Sequence, residues 1–245
     1  MLRLVSVAIV LVVWTLGSFL LGPRQLPSPA AVATTMAAEA ASGALFYNLA
    51  ITLARVAAAF TLAMAAGTAL GIAMGRSRTT DGVLDLPLIV LLNLPALVIV
   101  VLAYIWAGLT ETAAIAAVAI NKFPNTAVTV REGTRALDAG LDEMARVYRF
   151  DRMKRLQHLI LPQLAPFIAA AARSGLSLVW KIVLVVELLG RPNGVGFEIG
   201  TAFQLFDVAR ILAYALSFVA VIVAIEYLLV QPLERRVTRW RPRTA

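Results

Sequence analysis

The sequence has no cysteine, a single histidine and no nucleotide-binding P-loop, and each absence excludes a class of chemistry. Without cysteine there can be no disulfide, no thiolate nucleophile and no cysteine-ligated zinc. One histidine, His158, cannot supply the paired ligands of an HExxH zinc helix. None of the three lysines lies in a Gly-Lys-Ser/Thr sequence, whose lysine reaches the phosphates of a bound nucleotide. We therefore expect no metal site, no cofactor bound by this chain and no ATP hydrolysis through a P-loop.

Charge is also scarce. Only 15% of the 245 residues are charged, against roughly 25% in an ordinary soluble domain. Hydrophobic residues make up 60% of the chain, and its mean hydropathy is +0.84. Such a composition excludes an intrinsically disordered chain, and it leaves too little polar surface for a water-soluble globule. The composition therefore indicates an integral membrane protein that lies in a lipid bilayer.

Six apolar runs predict six transmembrane helices, because about 20 residues are needed to cross a hydrocarbon core. The runs are 4–21, 45–75, 86–106, 112–130, 164–189 and 208–230. The first run could be a signal peptide, but it is long for one and no clear Ala-x-Ala cleavage site follows, so we favour a retained span. The predicted fold is an all-α polytopic membrane protein.

The segments between these runs complete the predicted organisation. Residues 1–42 form a first helix and an external linker in which 30–42 could be an interfacial helix, 43–231 form the core, and 232–245 form a basic tail. The glycine-rich stretch 190–207 is predicted to be a loop, with Gly194-Val195-Gly196 in a re-entrant turn on the external side.

The cations of the loops fix the expected orientation. If the N-terminus is cytoplasmic, fifteen Lys and Arg residues lie inside and two lie outside. The fifteen are Arg3, Arg76, Arg78, Arg131, Arg135, Arg146, Arg149, Arg152, Lys154, Arg155, Arg235, Arg236, Arg239, Arg241 and Arg243, and the two are Arg24 and Arg191. We therefore predict that both termini are cytoplasmic. The fifteen cytoplasmic cations are divided among four pieces of the chain, which argues against a nucleic-acid-binding face.

The longest polar segment, 131–162, contains an amphipathic pattern. Leu137, Leu141, Met144 and Tyr148 are spaced as one apolar stripe of a helix. Ion pairs of Arg146 with Asp142 and with Glu143 are expected to support this helix. The segment could lie on the membrane surface, or it could dock into the groove of a partner protein.

The same segment resembles the EAA loop of binding-protein-dependent ABC importer permeases. That motif reads Glu-Ala-Ala, three residues, Gly, nine residues, Ile, any residue, Leu-Pro. Glu143, Ala145, Leu161 and Pro162 match it, with Met144 between the first two and Leu159 at the Ile position. Arg149 occupies the Gly position, where a tight turn favours a positive φ. This departure puts the turn geometry in doubt, or moves the turn by one or two residues. The resemblance implies that Leu141, Glu143, Met144, Ala145, Arg149, Leu159, Leu161 and Pro162 couple the chain to an ATPase.

Further elements resemble the same family, and they cover roughly residues 26–240. They lie at 48–60, 62–78, 94–96, 133–138 and 187–200, and together they look most like permeases of the sulfonate, taurine and nitrate import group. The resemblance implies a type I importer permease in a bacterial inner membrane. It also implies an ABC ATPase subunit that binds ATP and Mg, an extracellular or periplasmic solute-binding protein, and a second permease subunit, with a homodimer expected.

Ionisable and polar side chains inside the predicted spans are candidates for a solute path, because they are costly in a bilayer. The candidates are Arg173, Ser177, Trp180, Lys181, Asn93 and Tyr104, with Asn121 and Lys122 in a second tier. An anion-attracting face on the fifth span is one interpretation. The other is that Arg173 extends to the interface and Lys181 pairs with Glu187 or Glu226. For Arg55, a structural ion pair is the favoured role.

The predicted function is a permease subunit, and not an enzyme, that moves a small anionic solute delivered by a binding protein. The alternative is an ion-coupled secondary transporter or channel that works without an ATPase. Against that alternative, the two halves show no evident inverted repeat of broken spans, and the EAA-like loop would have no role. Gradient-driven flux by this chain alone would favour it.

Overall fold

The computed structural model describes residues 2–232, with side chains from residue 5 onward. Within that range the chain is helical and contains no strand, so the all-α class is confirmed. The helices are α1 Leu2–Leu21, α2 Pro29–Ala41, α3 Ala44–Arg76, α4 Arg78–Asn93, α5 Ala96–Ala107, α6 Glu111–Arg135, α7 Ala139–Val147, α8 Arg152–Arg155, α9 Leu161–Gly190, α10 Val195–Gln204 and α11 Val208–Ile225. Two π-helical turns, Leu156–Ile160 and Glu226–Val230, continue α8 into α9 and extend α11. The predicted tail lies outside the described residues, apart from Pro232.

The lengths of these helices can be compared with the six predicted spans. In the described range, three helices are long and apolar enough to cross a membrane, namely Ala44–Arg76, Arg152–Gly190 and Val208–Val230. The bent pair α4–α5 can count as a fourth, and the described apolar part of α1, Val5–Leu21, is shorter than the others. The α6 helix is not among these candidates, so six spans remain a prediction.

The third predicted span, 86–106, is wrong as a single helix. The chain breaks at Leu94-Pro95, and α4 and α5 meet there at a bend of 100°. Proline disfavours the helical region for the residue before it, and Leu94 is extended, with ψ 127°. The side chain of Asn93 bonds back to the carbonyl of Ile89 in the last turn of α4. By contrast Pro87, in the α4 interior, leaves that helix unbroken.

The described chain divides into two compact units. The first comprises Met1–Ala54 and Leu184–Ile225, and the second comprises Arg55–Val183 and Glu226–Ala245. In the first unit, α11 packs against α2 and α10. The predicted interfacial segment 30–42 is indeed helical as α2, and the Tyr214 hydroxyl donates to Glu39 on α2 at 2.8 Å. Arg210 pairs with Glu198 at 2.9 Å and with Glu39 at 3.3 Å, which joins the same three helices.

The glycine-rich stretch 190–207 is not a simple loop, because it contains the helix α10. Gly194, with a φ of 106°, makes the turn into this helix. The buried carboxylate of Glu187 then accepts the backbone N–H of Gly196 and the hydroxyl of Thr52, both at 2.9 Å. A carboxylate at a helix N-terminus satisfies unpaired donors and complements the helix dipole. The loop prediction failed because the glycines suggested irregular backbone over the whole stretch. In the structure only Gly194 of these glycines, at the start of α10, has a turn conformation.

In the second unit, α3 and α6 pack closely through glycines. Gly67, Gly71 and Gly75 recur every fourth residue on α3, and a Cβ at any of them would lie within 3.0 Å of α6 atoms. Arg55 is buried and donates to both oxygens of Glu111 at 2.9 and 2.6 Å, so its predicted structural ion pair is confirmed. The cations at the end of α6 are also paired, since Arg131 contacts Asp85 at 2.5 Å.

Candidate functional site

The EAA-like segment forms a short helix, α7, with defined caps at both ends. Asp138 is the N-cap, and its carboxylate accepts the backbone N–H of Gly140 at 2.8 Å. The N–H of Asp138 itself donates to the side chain of Gln163 at 3.0 Å. An N-cap of this kind stabilises a helix by about 1 kcal/mol. Nine residues would be a marginal helix in isolation, so the caps and the packing below keep α7 formed.

The turn that ends α7 is made at Arg149 itself. Arg149 has a φ of 49°, in the left-handed region that glycine would adopt without cost. Its N–H bonds to Arg146 O at 3.0 Å, and the N–H of Phe150 bonds to Ala145 O at 2.9 Å, which together form a Schellman motif. The turn is thus made at Arg149 and is not displaced, so the doubt about its geometry that the missing glycine raised was wrong, although a residue with a Cβ costs about 1–2 kcal/mol there.

Two of the predicted coupling residues anchor the segment. Ala145 and Leu159 are buried in one cluster with Val130, Ile160 and Leu164. Leu137 packs against the same cluster. The predicted four-residue stripe is therefore wrong at its first member, because α7 begins only at Ala139 and Leu137 precedes it.

The outer side of α7 carries four exposed apolar side chains, which we call the docking face. They are Leu141, Met144, Val147 and Tyr148, with exposed fractions of 41%, 40%, 78% and 72%. Val147 was missed by the sequence prediction, although it follows Met144 by three residues and so shares its side of the helix. Glu143 is exposed beside this face, and no hydrogen bond joins its side chain to another described residue.

The other predicted coupling residues lie on the π turn and the start of α9. Pro162 is exposed and Leu161 is half-buried. A proline inside a helix removes one backbone bond, and the π turn before it is one way to accommodate that loss. With the π turn included, Arg152–Gly190 is one uninterrupted helix. This helix begins shortly after the turn at Arg149 and contains the fifth predicted span, 164–189.

An ion cluster holds α7 to the following helix. Asp142 accepts a hydrogen bond from Arg155 Nε at 2.8 Å and a second one from the same guanidinium, and it pairs with Arg146 at 3.1 Å. The hydrogen bonds from Arg155 hold the pKa of the Asp142 carboxyl below its usual range. The Asp142–Arg146 pair was predicted, whereas Arg155, thirteen residues further on, carried no signal in the sequence. No ion pair joins Glu143 to Arg146 among the described residues.

The Asp142 cluster gives a first prediction. We expect Asp142→Asn to raise local opening of α7 about five- to tenfold, because charge-assisted hydrogen bonds contribute on the order of 1 kcal/mol or more. The measurement is amide hydrogen exchange across 139–147 in detergent. A depressed folded-state pKa gives stability that is present above the unfolded value of 3.8 and is lost as pH falls below it, so exchange protection should be flat near neutrality. Glu143→Gln, at the neighbouring unpaired carboxylate, should leave exchange unchanged. Equal exchange in the two variants would contradict a role for the cluster.

The predicted solute-path residues do not share one environment. Arg173, Ser177 and Lys181 recur every fourth residue on α9, and all three are exposed. Trp180 and Tyr104 are buried, at 6% and 9% exposed, while Asn93 is exposed at the α4–α5 break. The structure therefore brings three of the candidates onto one side of α9 and leaves the other three elsewhere.

The structure also tests the alternative interpretation, in which the cations of the fifth span form structural contacts and do not line a path. Arg173 lies 4.0 Å from Glu226, at the limit of an ion pair. Glu187 is bonded to Thr52 and Gly196, so its predicted pairing with Lys181 is not what the structure has. Lys122 is fully buried, where its Nζ donates to Asn125 Oδ1 at 3.1 Å and to the carbonyl of Ala171 at 3.0 Å. It lies against Gly175, where a Cβ would overlap its side chain.

These features define a class of protein. A helical membrane chain with no P-loop and a capped, outward-facing α7 has the form of a transport subunit that works with other chains. The family model for the binding-protein-dependent transport system inner membrane component matches residues 67–239. The chain belongs to this family, and the predicted group of sulfonate, taurine and nitrate permeases is confirmed.

Individual proteins that are similar to this chain support the same family assignment. The putative aliphatic sulfonates transport permease protein SsuC of Bacillus subtilis is 31% identical over 236 residues, which cover 96% of this chain and 85% of that protein. The taurine transport system permease protein TauC of Escherichia coli is 30% identical over 243 residues, which cover 96% and 88%. A solved chain of the MetNI methionine ABC transporter in an inward-facing conformation has a TM-score of 0.61 at 18% identity, covering 76% of this chain and 92% of that one, which supports the fold. The chain is therefore a permease subunit of an ATP-driven ABC importer, and ATP is hydrolysed on a separate subunit.

Proposed function

We propose that this permease translocates a small anionic solute of the sulfonate class, delivered by an extracellular binding protein. The observation that carries the solute class is the row of Arg173, Ser177 and Lys181 on one exposed side of α9. Two cations and a hydroxyl at helical spacing are suited to an anion with several acceptor oxygens. The names of the relatives SsuC and TauC, which concern aliphatic sulfonates and taurine, support the same class.

We further propose that the docking face fits a cleft on the ATPase subunit, which would bind ATP and Mg. A preformed amphipathic helix in a groove is a common mode of protein recognition. Ala145 and Leu159 would hold α7 in place, while Glu143, Arg149 and Pro162 flank the contact. Closure of the ATPase dimer would then move α7, and the uninterrupted helix from Arg152 to Gly190 would carry that movement toward the path.

The assembly and its location follow as part of the proposal. Arg173, Ser177 and Lys181 are exposed on one side of α9, so we propose that a second permease subunit lies opposite them, in a homodimer in a bacterial inner membrane. Both termini would be cytoplasmic, residues 1–42 would form the first helix and external linker, 43–231 the core, and 232–245 the cytoplasmic tail.

The test begins with a tagged copy of the chain purified in mild detergent. We expect a P-loop-containing ATPase chain to co-purify, and the complex in proteoliposomes to accumulate taurine or an alkanesulfonate only with ATP and the binding protein. A complex that hydrolyses ATP without accumulating solute would refute import. Flux driven by an ion gradient through this chain alone would favour the secondary-transporter alternative.

The cations of α9 give a second prediction. We expect Arg173→Gln and Lys181→Gln each to lower taurine uptake at subsaturating concentration about tenfold, because each removes one favourable charge from the path. Arg76→Gln, at an exposed cation outside this row, is the matched control and should transport like the unmodified chain. If Arg173 only balances Glu226, the double variant Arg173→Gln/Glu226→Gln will regain full uptake, and the role in the path is then wrong.

A further inference from the structure

The turn after α7 has an unusual combination of backbone strain and charge. Arg149 is one of two residues other than glycine with a positive φ among the described residues. A strained backbone position persists only where something else compensates it, and such positions concentrate at functional sites. Arg149 is also exposed, so its side chain gains nothing from burial within this chain. The hydrogen bonds of the Schellman motif hold the backbone in this conformation, and they leave the guanidinium exposed, where a group outside the chain can bind it.

The surroundings of Arg149 indicate the charge of that contact. Arg149, Arg152 and Lys154 are all exposed, and we call them the basic turn. No hydrogen bond or ion pair joins their side-chain nitrogens to another described residue. Asp151, the acid among them, uses its carboxylate to cap α8 by accepting the N–H of Lys154 at 2.7 Å. Three exposed cations within six residues of sequence, without a partner among the described residues, are suited to an anionic surface.

The charge along α7 changes sign from one end to the other. Asp138 is the N-cap, Asp142 is paired with Arg146 and Arg155, the unpaired Glu143 lies at the middle of α7, and the basic turn follows the C-terminal end. An anionic lipid surface would attract one end of this segment and repel the other. A protein cleft can match both ends, and the apolar docking face between them needs such a cleft. The polarity therefore favours a protein partner over a lipid headgroup.

We infer that the basic turn contacts an acidic rim of the ATPase cleft, and that Arg149 makes an ion pair with a carboxylate there. This inference rests on the proposed coupling function. It adds the chemistry of the partner surface and assigns Arg149 a role in selecting the ATPase subunit. A partner cleft without acidic residues at this end would bind α7 poorly, even if its apolar floor fitted the docking face.

The test separates charge from strain at position 149. Arg149→Asn tolerates the left-handed turn and removes the charge, Arg149→Gly removes both charge and strain, and Arg149→Glu reverses the charge. We expect melting temperatures at or above that of the unmodified chain for Arg149→Gly. We also expect binding of the co-purified ATPase subunit to weaken about five- to tenfold for Arg149→Asn and Arg149→Gly, and about a hundredfold for Arg149→Glu. Raising the salt concentration should reduce the differences among them.

A chemical cross-link identifies the partner group directly. Arg149→Lys places a primary amine at the turn, and a zero-length carbodiimide should join it to an Asp or Glu of the ATPase subunit. The unmodified chain, treated in the same way, is the control for the native Lys154. Mass spectrometry of the linked peptides should locate an acidic residue at the rim of the cleft.

The outcomes distinguish the acidic rim inferred here from the proposed docking of α7 into the ATPase cleft. If Leu141→Asp abolishes ATPase binding while all four Arg149 variants bind normally, the docking face is correct and the acidic rim is wrong. If Leu141→Asp also binds normally, the docking proposal itself fails and the rim fails with it. If Arg149→Glu loses affinity only for vesicles that contain anionic lipid, the basic turn serves the membrane and the inference is overturned.

Discussion

Leu141→Asp is expected to lower solute uptake at least about tenfold while leaving the chain folded and inserted in the membrane. Leu141 lies on the docking face and is 41% exposed, so an aspartate there meets water in the free subunit at little cost. In an apolar cleft of the ATPase the same carboxylate would lose its hydration without a partner. Central apolar anchors of interfaces contribute about 2 kcal/mol or more, or roughly a thirtyfold change in binding. We therefore expect uptake by proteoliposomes to fall at least about tenfold.

The control for this prediction lies on the same helix. Ala139 is exposed at the first turn of α7, about 150° around the helix from the centre of the docking face at 3.6 residues per turn. Ala139→Asp introduces the same charge, and near a helix N-terminus that charge is favourable. It should therefore transport normally. Glu143→Ala should impair coupling more mildly than Leu141→Asp. Normal uptake in both the Leu141 and the Glu143 variants would mean that α7 is only a surface helix.

The sequence predicted the features of this loop that depend on local spacing. Leu141, Met144 and Tyr148 repeat with the helical period, and the structure places all three on the exposed side of α7. The pair of Asp142 and Arg146 follows from their separation of four residues. At position 149 the motif indicated a tight turn, but the arginine there put the turn geometry in doubt or moved the turn by one or two residues, and this doubt was wrong. The sequence did not predict that Arg149 itself would adopt the left-handed conformation. A residue with a Cβ is disfavoured in that conformation, and the hydrogen bonds of the Schellman motif compensate this cost in the structure.

Contacts between distant segments were beyond such reasoning. Glu187 was considered, beside Glu226, as a buried acid that could pair with Lys181. In the structure Glu187 instead bonds to Thr52, 135 residues away, and caps the helix that begins at Val195. Similarly, nothing in the periodicity of α7 indicates that Arg155 reaches Asp142. Pairings of this kind depend on which helices pack together, and a single sequence does not contain that information.

The close packing of α3 on α6 gives the other large effect. A Cβ built on Gly71 would lie 2.6 Å from the backbone carbonyl of Ala127 and 2.8 Å from Cβ of Val130. Backbone atoms cannot move aside as the end of a flexible side chain can, so the two helices would have to separate. Overpacking of this kind costs about 1–3 kcal/mol for small additions and more for a branched side chain. Gly71→Leu is therefore expected to prevent the accumulation of folded permease, and Gly71→Ala to lower its melting temperature.

Gly82 offers a matched control within the same unit. It lies in α4, is exposed, and has no atom within 4 Å of a built Cβ. Gly82→Ala should raise the melting temperature slightly, because alanine is favoured over glycine in a helix by about 1 kcal/mol. Gly82→Leu should give a folded, monodisperse protein by fluorescence-detected size-exclusion chromatography. The same substitution is thus expected to change stability in opposite directions at two glycines of neighbouring helices. If Gly71→Leu eluted and melted like Gly82→Leu, α3 and α6 could not approach as closely as Gly67, Gly71 and Gly75 allow.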